Sequence, residues 1–334
     1  MLAFTSPPAH SRHSDRLLRL PLIGHARCIG ASVSRMEHLL GSLVRDPRIR
    51  ELADEPSGGD GCLATLVSGP ARVGYVTCGQ PVMAEFWNED FFGCVIPLRG
   101  RARLEQYPAA VQGRNGPFFL LPKSDQTWQF SADCELLVLR FSVESEGVRR
   151  RIQDVLQSED GKGLADCAQV LMESIPYRLH HGLGYTAKLR LLERIRGEFL
   201  QLFGIDPEER AAPSGPEVMD PRVLRAMDYL LQLPASEYHL DAVCDVAHMS
   251  ARGLYYAFER NLDCTPYAYF RACHLIRVRL ALLRDTERRH SIAWHASTYG
   301  FQHMSRFAAH YRNYFGELPS ETCQRLERDF TCHC

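Results

Sequence analysis

The stretch Leu240-Asp-Ala-Val-Cys-Asp-Val-Ala247, then His248-Met249-Ser250, then Ala251-Arg252-Gly253-Leu254-Tyr255-Tyr256-Ala257-Phe258, decides the reading of this chain. Its first part sets Leu240, Val243, Val246 and Ala247 on one stripe of a short helix. Ser250 is the residue type whose hydroxyl caps a helix start. The helix that follows, Ala251 to about Leu262, turns Leu254 and Phe258 inward and Arg252, Tyr255, Tyr256 and Glu259 outward. Two short helices joined by a three-residue turn make a helix-turn-helix, whose second member can enter a DNA major groove.

The arrangement recurs downstream. Ser291-Ile292 opens a helix that closes at Tyr299-Gly300, where glycine supplies the left-handed turn. In the next helix Met304, Phe307, Ala308 and Tyr311 share one face, and His303, Arg306, His310 and Asn313 share the other. Between the two units, Tyr267 to about Arg284 reads as one helix, about 27 Å long at ~1.5 Å per residue. That length suits two recognition helices about one DNA turn (~34 Å) apart.

Upstream the pattern changes. Residues 60–145 carry short apolar runs, among them Val73-Gly74-Tyr75-Val76, Phe91 to Ile96, Phe118 to Leu121 and Glu135 to Phe141, separated by Gly/Pro turn clusters. Such spacing predicts a small antiparallel barrel or jelly roll. Residues 146–204 turn helical, with Leu189, Leu192, Ile195, Phe199, Leu202 and Phe203 as an apolar stripe for the barrel or for a second copy of the chain. The fold class expected is α+β: an N-terminal antiparallel β-barrel with flanking helices, which resembles the cupin-like sensor domain, and a C-terminal all-α double helix-turn-helix domain. The expected organisation is a flexible leader over 1–30, a barrel domain over 31–205, a Pro-rich linker over 206–219, the DNA-binding domain over 220–325 and a tail over 326–334.

A net charge of -1 over 334 residues excludes binding of nucleic acid by bulk charge alone. Residues 221–334 sum to about +2. Lysine occurs only at 123, 162 and 188, so every strong positive charge in residues 221–334 is arginine, the better match to phosphate and guanine. The twelve cysteines are scattered without a Cys-x-x-Cys and read as reduced core thiols of a cytoplasmic protein. No apolar stretch approaches the ~20 residues that span a bilayer, and Met1 to Ser14 lacks a secretory apolar core. Phe86 to Phe141 contains no histidine, so a catalytic cupin metal centre lacks its ligands and neither an enzyme nor a cofactor is expected. Trp87, Tyr107 and Trp128 are the candidates to line a small-molecule pocket, with ordinary barrel core as their other reading.

Residues 220–325 resemble the DNA-binding domain of the AraC/XylS family of bacterial transcription regulators. The resemblance rests on Ser250-x-Arg252-x-Leu254-x-x-x-Phe258, Thr265-Pro266-x-x-Tyr269, Leu275-x-x-Val278-Arg279-x-x-Leu282-Leu283, and Gly300-Phe301-x-x-x-Ser305-Arg306-Phe307-x-x-x-Tyr311-Arg312-x-x-Phe315-Gly316-Glu317-x-Pro319. The barrel resembles the XylS-like ligand-binding domain, with Pro97-Leu98-Arg99-Gly100 and Leu136 to Arg140 the best local matches. This chain departs from the family pattern at Tyr256, His248 (for a turn glycine), His274 (for arginine) and His295 (for a buried aliphatic).

The resemblance implies an activator that binds promoter DNA and RNA polymerase, dimerises, and answers a small, perhaps aromatic, effector. Its DNA contacts are expected at Ser250, Arg252, Tyr255, Tyr256, Gln302, His303, Ser305, Arg306 and His310. Competing triggers are thiol oxidation or a metal, with Cys332-His333-Cys334 a weak ligand cluster. A constitutive DNA binder whose barrel only dimerises is a further alternative, and a cupin enzyme the last.

Overall fold

The computed structural model describes residues 18–41, 44–52, 61–88, 91–105, 117–122, 124–142, 145–158, 161–205, 220–285 and 287–331. They form two compact units. One holds the described residues of 25–179 and 188–217; the other holds those of 18–24, 180–187 and 218–331.

The first unit is built on ten strands: β1 Ala26–Ala31, β2 Arg45–Glu51, β3 Gly61–Ser68, β4 Ala71–Cys78, β5 Val82–Asn88, β6 Phe91–Arg99, β7 Ala102–Leu104, β8 Phe118–Leu120, β9 Ser124–Phe130 and β10 Cys134–Ser142. Helix α1, Val33–Leu40, follows β1; α2 Glu146–Gln157, α3 Gly161–Arg178 and α4 Tyr185–Gln201 follow the strands. A six-stranded sheet runs β1-β3-β4-β10-β6-β8 and a four-stranded one β2-β5-β9-β7. All eight pairings are antiparallel. This is the sandwich-like closure expected of a cupin-type barrel.

Period-2 alternation decides which residues meet inside. Ala84, Leu104 and Trp128 from the smaller sheet bury against Val95, Phe118, Leu120 and Leu136 from the larger. On the other face of the larger sheet lie Phe92, Phe119 and Phe141, and the α4 stripe settles there. Phe199 stacks within 6.4 Å of all three rings, and Phe203 meets Phe92 edge-on at 5.1 Å. The stripe predicted over 189–203 thus buries on its own sheet, each large side chain worth about 1.5–3 kcal/mol. Gly93 pairs with Arg140 of β10. A Cβ there would collide with the Leu139 carbonyl, so glycine is what lets β6 and β10 close up beneath the buried arginine.

In the second unit, α5 (Pro221–Gln232) starts with Asp220 accepting the Arg222 N–H at 2.9 Å and with proline in its first turn. Helices α6 Leu240–Ala247, α7 Ala251–Leu262, α8 Pro266–Arg284, α9 Ile292–Thr298, α10 Met304–Phe315 and α11 Pro319–Thr331 follow. Residues 18–24 and 180–187 pack within this unit as well. Arg19 pairs with Asp228 at 2.7 Å, and the Leu18 carbonyl lies 2.8 Å from His181 Nε2. Strand β1 begins at Ala26, inside the segment read from sequence as a leader.

Candidate nucleic-acid interface and ligand cavity

The turn between α6 and α7 explains the histidine that replaces glycine. His248 sits at φ 54, ψ 48, the left-handed conformation, which histidine adopts more readily than a β-branched residue would. Its N–H and that of Met249 close back on the Asp245 and Cys244 carbonyls at 3.2 and 3.0 Å. Ser250 then accepts the Gly253 N–H at 3.2 Å, so its hydroxyl is engaged as the N-cap of α7. With Leu254, Ala257, Phe258 and Leu262 buried, α7 presents Arg252, Tyr255 and Tyr256 to solvent, Tyr256 at 67% exposure.

The second unit is built alike. Ser291 accepts the Trp294 N–H at 3.1 Å to start α9, and Gly300, at φ 88, makes the left-handed turn predicted for it. Helix α10 buries Phe307, Tyr311, Tyr314 and Phe315. Gln302, His303, Ser305 and Arg306 are exposed, while His310 is half-buried. Burial first, then the guanidiniums of Arg271 and Arg306, pull the His310 imidazole below its ordinary value. It therefore stays neutral at physiological pH and offers one donor and one acceptor.

Helix α8 connects the two helix-turn-helix motifs, and its Arg277 and Arg279 point inward. Arg277 donates to the carbonyls of Leu231 and Leu233 at 2.6 and 3.0 Å, closing the end of α5. Arg279 donates to Glu317 Oε1 at 2.6 Å, and Arg325 donates to Glu317 Oε2 at 2.7 Å. Tyr311 and Thr322 hydroxyls, 2.9 Å apart, complete this network. His274 is buried against Phe270, and burial together with Arg277 pushes its pKa down to about 3, so it packs as a neutral ring. His295, where the family has an aliphatic, is buried with Nε2 2.9 Å from Asp285 Oδ2. Its polarity is thus absorbed by a carboxylate that the sequence did not single out.

In the first unit a cavity of about 140 Å³ opens between the sheets. Its wall is mostly apolar, with Met36, Ile49, Leu63, Val76, Phe86, Val95, Trp128, Phe130 and Val138, and it includes the arginines Arg72 and Arg140. Trp128 is buried at 1% exposure, and its indole N–H has no acceptor. Arg140 donates to Asn88 Oδ1 at 3.0 Å; burial and the charge of Arg72 lower its pKa to about 10. Two guanidiniums beside an apolar wall favour an anionic group there.

Of the three expected pocket residues, Trp128 lies in the wall. Trp87 does not: on β5 the residues at 82, 84 and 86 face the cavity, so Phe86 lines it and Trp87 takes the other face. Tyr107 lies outside the described residues. Arg72 and Arg140 were missed because arginine on a strand ordinarily marks the solvent face, and only the register that pairs them places both at one end of the cavity.

Burial pushes the thiols of Cys62 and Cys94 far up, Cys78 to about 11, and Cys134, Cys264 and Cys273 to about 12. These are poor nucleophiles, the opposite of what a redox trigger needs. Cys167 is exposed, and Cys332-His333-Cys334 lies outside the described residues.

A ligand-cavity barrel and a double helix-turn-helix on one chain define a DNA-binding transcription regulator with a ligand-binding domain. The comparisons place it more closely. Residues 40–232 match the AraC-binding-like domain family and residues 243–325 a helix-turn-helix domain family. The chain belongs to the AraC family of transcription regulators. It is 27% identical over 233 residues to the XylDLEGF operon transcriptional activator of Pseudomonas putida, covering 64% of this chain and 68% of that one. A second such activator from the same species is 28% identical over 249 residues, 69% of this chain and 71% of that one. A third, XylDLEGF operon transcriptional activator 3, is 41% identical over 86 residues, 26% of each chain. Among the described residues no helix is long and apolar enough to cross a membrane.

Proposed function

We propose that this protein is a cytoplasmic, sequence-specific activator that reads promoter DNA with two surfaces and is switched by a small aromatic acid. Ser250, Arg252, Tyr255 and Tyr256 make the first surface; Gln302, His303, Ser305, Arg306 and His310 make the second. RNA polymerase and a second copy of the chain are its protein partners, and 206–219 serves as the linker between an effector domain and a DNA-binding domain. The observation that carries the DNA reading is that α7 and α10 each bury one face and present cationic, amide and aromatic groups on the other. Arginine is suited to bidentate guanine contacts, and the remaining groups to phosphates and base edges.

The effector reading rests on the cavity. A ~150 Å³ apolar cavity holds one benzene, so the space measured here accommodates a single ring, with its carboxylate toward Arg72 and Arg140 and an acceptor for the Trp128 N–H.

The test is selection of bound sequences from random DNA with the full chain, followed by footprinting. Two protected segments about one helical turn apart are expected; a single short segment contradicts the two-surface reading. Arg306→Ala should cost ~1–3 kcal/mol on the selected sequence if it reads a base. Unchanged affinity in a salt-controlled gel-shift titration removes Arg306 from the interface.

A further inference from the structure

Three residues around the α8–α9 connection, Asp285, His290 and His295, bring one carboxylate and two imidazoles together outside both sites described above. Their ligand atoms lie within 4.8 Å of one another. His295 Nε2 is 2.9 Å and His290 Nδ1 3.8 Å from the same oxygen, Asp285 Oδ2. In a tetrahedral zinc site with bonds of ~2.0–2.1 Å, ligand atoms stand about 3.3 Å apart. Both spacings sit within about half an ångström of that geometry.

We propose that Asp285, His290 and His295 form a binding site for a divalent first-row transition-metal ion of the zinc class. The donor set suits it: two imidazoles and a carboxylate favour zinc, nickel or copper over calcium or magnesium. The carboxylate is held in place by the N–H groups of Arg289 and His290, which donate to its Oδ1 and Oδ2 at 2.8 and 3.0 Å.

Coordination through Nε2 requires that His295 carry its proton on Nδ1. In the structure Nε2–H donates to Asp285 at 2.9 Å, so metal binding would replace that hydrogen bond and move the proton to Nδ1, which is buried and takes part in no hydrogen bond among the described residues. His290 is the exposed member, 44% exposed at its side chain, so its ring has room for the shift of about half an ångström that coordination asks of it. Trp294, itself 48% exposed, stacks on that ring at 3.8 Å with an interplanar angle of 22°, which limits its orientations. Three protein ligands would leave one position of a tetrahedral ion for water. A bound ion would tie the end of α8 to α9, and so fix the approach to the second recognition helix.

The test is zinc titration of the full chain by calorimetry, beside the variant His290→Ala. The substituted ring is exposed, so that variant is expected to fold. Wild type should bind one equivalent that His290→Ala binds at least about tenfold more weakly, since even partners outside the metal's own ligand set change affinity 10–100-fold. Cobalt(II), as a paramagnetic probe, should quench the emission of Trp294, and Trp294→Phe should remove that quenching. This second readout separates the site from binding to the cysteines. Equal zinc stoichiometry and affinity in wild type and His290→Ala, or cobalt quenching unchanged by Trp294→Phe, overturns the proposal.

Discussion

Removing the Glu317 carboxylate should do more damage than its place near the C-terminal end suggests. Arg279 is 5% exposed at its side chain and Glu317 21%, with 2.6 Å between Nη1 and Oε1. Breaking a buried pair by deleting one partner costs about 3–5 kcal/mol, because the remaining charge stays desolvated. The partial exposure of Glu317 puts Glu317→Ala at the low end, about 3 kcal/mol. For a domain of about 100 residues, 1 kcal/mol shifts the melting midpoint by about 4–8 °C, so a loss on the order of 10–20 °C is expected. Burial raises the Glu317 carboxyl, but the guanidiniums of Arg279 and Arg325 hold it below its ordinary value. Its contribution is therefore present above the unfolded-state pKa and is lost as pH falls through the depressed folded one. The gap between wild type and variant should close in acid. Thermal melts followed by far-ultraviolet circular dichroism, at neutral and acid pH, measure both effects. The double variant Arg279→Met with Glu317→Ala should be less destabilised than the sum of the single changes. A Glu317→Ala melt within about 2 °C of wild type, or additive losses in the double variant, would refute the reasoning.

Three other outcomes follow from single positions. His248→Gly should be neutral or stabilising by up to about 1 kcal/mol, and His248→Val destabilising by at least about 1 kcal/mol, because φ is positive there; chemical denaturation compares the two. Trp128→Phe keeps an aromatic side chain, smaller than indole, and removes the unpartnered N–H. It should weaken an effector that supplies an acceptor by roughly 0.5–1.5 kcal/mol while leaving operator affinity in its absence unchanged, as read by calorimetry and gel shift. Asp285→Asn should flatten the acid limb of the stability profile, since a carboxyl held below its usual value adds stability above its unfolded pKa and loses it as pH falls; urea midpoints between about pH 3 and 7 check this.

The C-terminal helices were legible because each carries its own punctuation. Ser250, Thr265 and Ser291 cap as their type requires, and Gly300 turns as glycine does. Recognition-helix faces followed from 3.6-residue periodicity, which needs no partner to interpret. The barrel was legible in class but not in register. Phe86-Trp87 is a run of two aromatics, and which one faces the cavity depends on the pairing of β5 with β9, a long-range fact. The strand Arg45–Glu51 carries five charged residues among its seven and gave no strand signal at all. The inward arginines of α8 and the Asp285–His295 pair escaped for a related reason: a local pattern assigns charged residues to solvent, and only tertiary partners reverse that.

Helix α8 also bears on how such a reader can change over time. Of its 19 residues, 14 are buried, so neighbours grip it around its circumference. Inserting one residue would rotate everything beyond it by about 100° and advance it by about 1.5 Å. The second surface would then swing out of phase with the first; an insertion before Arg277 would break its bonds to Leu231 and Leu233, and one after Arg279 its bond to Glu317. The period at which the chain can sample a double helix is thus written into the length of one rod. On the proposed two-surface reading, new target sequences are reachable by exchanging the exposed side chains of α7 and α10, whereas a new spacing between half-sites is not reachable by single steps.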